Sequence, residues 1–169
     1  MAGRNDWETP RIVFDAMAAR FGPFDLDVAA SAENTKCKHH LRDALKQTWT
    51  PSCRAWMNPP YSDEDGRPCV LNFLKKAHNE TGNGTMTVCL LVNDTSTEWF
   101  RYAAENAATI IHLTGPRIRF EIDGKPVGTP TFSNLIAVFR PKWPDEPNGV
   151  RIEYADWRDW TPKGMDIGA

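Results

Sequence analysis

Apolar residues recur along the chain at two periods, and the switching between them predicts a layered α/β protein. Val13, Phe14, Met17, Ala18 and Phe21 follow Thr9 and Pro10 at helical spacing and stop at Gly22, which predicts a helix capped by Thr9 with proline at its first position. Phe24 to Val28 alternates apolar and acidic side chains and then runs into Ala29, Ala30 and Ser31, as a strand ending in a tight loop does. A short strand is expected near His39 to Leu41, and Arg54 to Met57 reads as another, stopped by prolines. Val70, Phe73, Leu74 and Ala77 give a second helix up to Gly82, and Thr85 to Val92 a buried strand. Thr95 lies three residues before Glu98, which is capping-box spacing, so a third helix is expected through Trp99, Tyr102 and Ala103 to about Asn106. Thr109 to Leu113 reads as a strand. Arg117 to Ile122 alternates, Asp123 and Gly124 turn, and Leu135 to Phe139 returns, so the last two strands are expected to be antiparallel. The series predicts an α/β domain over 1–141 with a mixed sheet and an antiparallel C-terminal hairpin. A Trp- and Pro-containing tail, 142–169, is expected to pack on it.

Composition narrows the class. With 169 residues, 41% hydrophobic and 25% charged, the chain has material for one real core, which excludes a disordered protein. Its longest apolar runs, Val88 to Val92 and Leu135 to Phe139, are strand-sized, far below the roughly 20 residues of a membrane span. The N-terminal residues hold no apolar stretch, so the cytoplasm is the expected compartment. A net charge of -2 argues against holding nucleic acid by bulk electrostatics. The acidity is uneven: residues 1–144 carry 17 Lys+Arg against 16 Asp+Glu, and 145–169 carry 3 against 6. Cys37, Cys53, Cys69 and Cys89 form no C-x-x-C pair, and although Cys37, His39 and His40 lie close together, no metal site is expected.

The string Asn58-Pro59-Pro60-Tyr61 changes the picture most, since an Asn-Pro-Pro-aromatic sequence arises by chance in roughly one chain in a thousand of this length. Placed after a strand, it resembles motif IV of the S-adenosylmethionine-dependent amino methyltransferases, the Asn/Asp-Pro-Pro-Tyr signature of the DNA adenine-N6 enzymes. Its atoms suit that chemistry. An exocyclic adenine amine is a poor nucleophile because its lone pair is delocalised into the ring. Two acceptors aimed at its two N–H groups pull the nitrogen toward a pyramidal form, and the Asn58 side-chain oxygen and the Pro59 carbonyl can supply them. Proline fixes the backbone there, and Tyr61 offers a flat face to an extruded base.

Other segments extend the likeness. Phe24 to Ser31 occupies the place of motif I, with Ala29, Ala30 and Ser31 standing where Gly-x-Gly is usual and Asp27 at the strand end able to accept from an ammonium group. Asp6 to Pro10 resembles the Trp-x-Thr-Pro segment of the phage-encoded DNA N6-adenine methyltransferase family, in which a Thr-Pro element lies beside the cofactor. Asp27 to Asn34, Asp43 to Leu45, Asp94 to Phe100 and Gly115 to Phe120 continue the resemblance in order, from residue 6 to about 141.

The resemblance implies a compact Rossmann-like methyltransferase fold, shortened between motifs I and IV. S-adenosylmethionine would be held by Trp7, Thr9, Pro10, Asp27, Ala29, Ala30, Ser31 and Asp43, with Glu33 the candidate for the ribose. Asn58, Pro59, Pro60 and Tyr61 would form the catalytic group. Double-stranded DNA would be met by Ser62, Thr95, Ser96, Arg117, Arg119, Lys125, Ser133 and Asn134; Arg117 and Arg119, two apart, would share a strand face. Two other readings stay open at this point: the same cofactor with an RNA base or a protein glutamine as acceptor, and a non-catalytic Trp-rich DNA-binding module.

Overall fold

The longest apolar runs of the sequence become the middle of a sheet. In the computed structural model, which describes residues 6–128 and 130–165, the elements run α1 (Arg11–Phe21), β1 (Leu26–Asp27), β2 (His39–His40), β3 (Arg54–Met57), α2 (Val70–Glu80), β4 (Met86–Val92), α3 (Glu98–Asn106), β5 (Thr109–Thr114), β6 (Glu121–Ile122), β7 (Lys125–Pro126), β8 (Asn134–Phe139) and β9 (Arg151–Asp156). Seven strands form one sheet in the order β2-β1-β3-β4-β8-β5-β9, and β6 and β7 form a separate ribbon. Every residue of β8, and every residue of β4 after Met86, is buried. Such continuous burial follows from covering both faces of a sheet with helices.

Alternation along each strand sorts the side chains into two layers. Ala55 and Met57 join Cys89, Leu91, Ile110, Leu135 and Ala137 on the face covered by α2 and α3. Trp56 joins Val88, Leu90, Ile111 and Ile136 on the opposite face, covered by α1 and by Trp157 in the turn Trp157–Trp160.

Strands β1, β3 and β4 are mutually parallel, and β2 flanks β1 on the outer side. The chain therefore moves outward from β1 to β2 and then returns past β1 to β3. That reversal leaves a crevice beyond the carboxyl ends of β1 and β3, where open α/β sheets hold their ligands. No helix separates β1 from β3, and β1 and β2 have two residues each. The shortening expected between the two motifs is present.

Several expectations are corrected. Thr9 does not cap α1: Pro10 occupies the N-cap position without a side-chain hydrogen bond, and Thr9 Oγ1 is buried without a partner. Thr97, not Thr95, caps α3, accepting from the Phe100 N–H at 3.2 Å, because Asp94 draws Ser96 into a turn of its own. Arg117 to Phe120 pairs with no strand of the sheet; the antiparallel hairpin is the small β6–β7 ribbon, turning at Asp123 and Gly124. β8 does not pair with it. Fully apolar after Asn134, β8 inserts antiparallel between β4 and β5, where both of its edges are satisfied. Beyond Pro141 the chain contributes β9, parallel to β5 at the sheet edge. Its mixed sequence, Arg151 to Asp156, carries little hydrophobic signal because only one of its edges is paired. Residues 166–169 of the expected tail lie outside the described residues.

Candidate active site

The crevice at the ends of β1 and β3 is lined by Trp7, Thr9, Asp27, Ala29, Ala30, Asn58 and Pro60. Asp27 closes β1 and is nearly withdrawn from water, at 4% exposed. Burial pushes its carboxyl up to about 6, and the backbone N–H groups of Ala29 and Lys36 and the Lys36 charge only partly oppose this. A carboxylate held there gains from a cationic ligand. Lys36, missed in the sequence, lines the same crevice and pairs with Glu8 at 3.3 Å. The buried hydroxyl of Thr9, also on the crevice wall, has no partner among the described residues.

An acid, a base and an unused hydroxyl in one crevice fit a zwitterionic amino-acid end such as that of S-adenosylmethionine. Asn34 and Trp56, also missed, complete the lining. Their signal is weak, since a lone polar loop residue and a core tryptophan are unremarkable until the fold sets them beside Asp27.

Other expected cofactor residues stand apart. The Ser31 N–H donates to Asn34 Oδ1 at 2.8 Å and shapes the loop without lining the crevice. Pro10 is buried at the start of α1. Asp43 lies in an adjoining hollow that shares Pro60 with the crevice, and Glu33 is exposed.

Asn58 follows β3 directly, where Pro59 and Pro60 forbid further sheet pairing. Its Nδ2 donates to the carbonyl of Trp7 at 3.0 Å, and no described residue donates to its Oδ1. The Cys69 thiol donates to the Pro60 carbonyl at 3.1 Å, holding the loop to the start of α2. The Tyr61 hydroxyl accepts the Val92 N–H at 2.7 Å, and its ring meets Trp99 edge-on at 6.5 Å. The tyrosine is therefore fixed at both ends.

A second, nearly closed cleft lies on the other side of Asn58, lined by Trp7, Tyr61, Val92, Phe120, Phe132 and Asn134. Trp7 stacks on Phe120 at 5.6 Å and on Phe132 at 5.8 Å. Asn134, expected as a DNA contact, is buried on this wall. Its Nδ2 donates to the Leu91 carbonyl at 3.1 Å, and its buried Oδ1 has no partner among the described residues. Phe120 and Phe132 are missed by the sequence because aromatic residues in an irregular segment read as core.

The remaining expected DNA contacts fall on the segments that follow β3, β4 and β5 or precede β8 and, for Lys125, on β7 of the ribbon. Thr95 and Ser96 are exposed after β4, and Ser96 Oγ donates to Asp94 at 2.6 Å. Arg117, Arg119 and Lys125 are exposed, with the Arg117 guanidinium donating to the Pro130 carbonyl at 3.1 Å. Ile118 and Phe120 are buried between and beyond the two arginines, so the alternation survives without a strand. Ser133 is exposed, and Ser62 is half-buried in a bridge to Pro68. Among the described residues no group of three or more His, Cys, Asp or Glu stands ready to hold a metal ion, and no helix is long and apolar enough to cross a membrane.

Comparison with known proteins adds four findings. The family model described as DNA N-6-adenine-methyltransferase (Dam) matches residues 1–165. The DNA N-6-adenine-methyltransferase of Haemophilus phage HP1 is 31% identical over 166 residues, 94% of this chain and 91% of that protein. That of Escherichia phage T1 is 39% identical over 126 residues, 73% of this chain, which spans 50% of the T1 protein's length. Among solved structures, a Listeria monocytogenes chain provisionally assigned to the class I S-adenosylmethionine-dependent methyltransferases superposes with a TM-score of 0.48 at 13% identity, over 83% of this chain and 53% of that one.

Proposed function

Because the chain belongs to the Dam family of DNA N-6-adenine-methyltransferases, we propose that it transfers a methyl group from S-adenosylmethionine to the exocyclic amine of adenine in duplex DNA. The observation that carries the reading is the position of Asn58 on the shared wall between a polar crevice and an aromatic pocket. One side suits the cofactor, the other a base.

Each residue then has a task. Asp27 accepts from the cofactor's ammonium group, Lys36 faces its carboxylate, and Thr9 Oγ1 gains the hydrogen bond it lacks. Ala29 and Ala30 leave room for the ligand against the backbone. The bound cofactor supplies a methyl group on a sulfonium, an electrophile already activated. Asn58 Oδ1 and the Pro59 carbonyl accept the two N–H groups of the target amine and turn its lone pair toward that carbon. Tyr61 stacks on the base, which must leave the duplex to reach the pocket. The proton departs after transfer, so no base of shifted pKa is required. Arg119 and Lys125 meet phosphates on the rim.

Labelled cofactor incubated with duplex DNA, single-stranded DNA, RNA and protein tests the reading. Digestion of the DNA to nucleosides and mass spectrometry should return N6-methyladenine from the duplex. Methylated cytosine, or label in RNA or in protein glutamine, would overturn it. A preference for single strands would overturn the duplex assignment alone.

A further inference from the structure

The side-chain amide of Asn58 has two ends of nearly the same shape and opposite character, an oxygen that accepts and a nitrogen that donates. Pro59 fixes the backbone that follows, but rotation about the last side-chain bond is two-fold and broad, so nothing local decides which end faces the acceptor base. The decision matters. An NH2 turned toward the base would set donors against the donors of the substrate amine.

The choice is made 51 residues away in sequence, where the Trp7 carbonyl accepts from Nδ2 at 3.0 Å. A carbonyl can only accept, so it commits the nitrogen and leaves the oxygen as the outward end. Three contacts hold that carbonyl in place. The Trp7 ring stacks on Phe120 and Phe132, at interplanar angles of 28° and 21°. Glu8 exchanges backbone hydrogen bonds with Glu121 at 2.8 and 3.0 Å. Its side chain pairs with Lys36 across the crevice at 3.3 Å. Only the first belongs to residue 7 itself.

We infer that Trp7 is a positioning residue: its stacked ring holds its main-chain carbonyl where it selects the accepting end of Asn58. The inference rests on the methyl transfer proposed above and adds a requirement to it. Aspartate has two equivalent oxygens and no end to select, and at this position it would set an oxygen against the Trp7 carbonyl. Loosening the arm therefore acts in opposite directions on the two side chains.

The test is a mutant cycle in the full chain, read as single-turnover methylation of DNA at saturating cofactor. Trp7→Ala should slow the otherwise unchanged enzyme by about tenfold, the scale of one misdirected hydrogen bond, and Trp7→Phe should restore most of the rate. In the Asn58→Asp background, Trp7→Ala should leave the rate unchanged or raise it. An equal loss in both backgrounds would mean that Trp7 only supports the fold, and would overturn the inference. Should Asn58→Asp be too slow to follow, hydrogen exchange at the Asn58 side-chain amide decides the same question. Protection present with Trp or Phe at position 7 and lost in Trp7→Ala supports selection, and equal exchange in all three overturns it. Exchange needs no turnover, so it separates failure of this inference from failure of the methyl-transfer reading.

Discussion

On one side of Asn58 a buried carboxylate, a half-buried ammonium group and a buried hydroxyl surround an open crevice; on the other, rings pack nearly shut. The first side is a site built in advance. Asp27 and Thr9 bear desolvation that nothing in the chain fully offsets, a cost that a ligand relieves. The second side is packed. Trp7, Phe120 and Phe132 satisfy one another, and that stack is the wall a base must meet. Cofactor binding thus draws on unmet polar groups, whereas base binding draws on stacking against rings that already hold one another.

Asn58→Ala tests the wall common to both sides and carries the largest effect. Single-turnover methylation should fall by about 10²–10³-fold, the scale for removing one fixed hydrogen-bonding group that acts in the transition state. The cofactor dissociation constant, measured by calorimetry, should stay within about twofold.

Asp27→Asn should break the polar side alone. Loss of a charge-assisted hydrogen bond should raise the cofactor dissociation constant by about 10- to 100-fold. Thermal stability should hold or rise, with the following sign. The folded carboxyl titrates at about 6, above its ordinary 3.8, so folding favours the protonated form. Its contribution is most favourable below pH 3.8 and is lost as pH rises through 6, a cost on the order of 3 kcal/mol at neutral pH. The same titration predicts a pH profile for the unaltered protein. Cofactor binding should be constant above about pH 7 and weaken by about tenfold near pH 5, as the proton competes with the ammonium. A flat profile would remove Asp27 from the cofactor site.

Phe132→Ala should break the aromatic side alone, lowering kcat/KM for DNA by about tenfold through lost stacking while cofactor binding stays unchanged. Arg119→Ala should have the smallest effect. DNA affinity should drop a few-fold, and the slope of its logarithm against log salt should decrease by about 1.

The polar side is the more legible in the sequence. Thr9, Asp27, Ala29 and Ala30 each sit at the end of a local pattern, a helix start or a strand end, and such ends collect in an α/β fold at one edge of the sheet. The aromatic side is not legible beyond Tyr61: the alternation of Arg117 to Ile122 marks Phe120 only as buried, and Phe132 lies in irregular chain where no period marks it. Thr9 reads as a cap because its local chemistry suits one. The helix instead starts beyond Pro10, and the hydroxyl is turned inward without a partner. β9 is hidden for a related reason: a strand paired on one side only needs little apolar sequence.

Sequence by itself determined the helices, the buried strands and the chemical identity of the Asn58 to Tyr61 string, because these depend on local backbone preferences and on side-chain periodicity. Tertiary structure alone decided that β8 enters between β4 and β5, that Lys36 joins Asp27 in one crevice, and that the Trp7 carbonyl meets Asn58. Each of those pairings joins residues that no local pattern brings together, and they are chosen only when the whole sheet buries its faces and satisfies its backbone together.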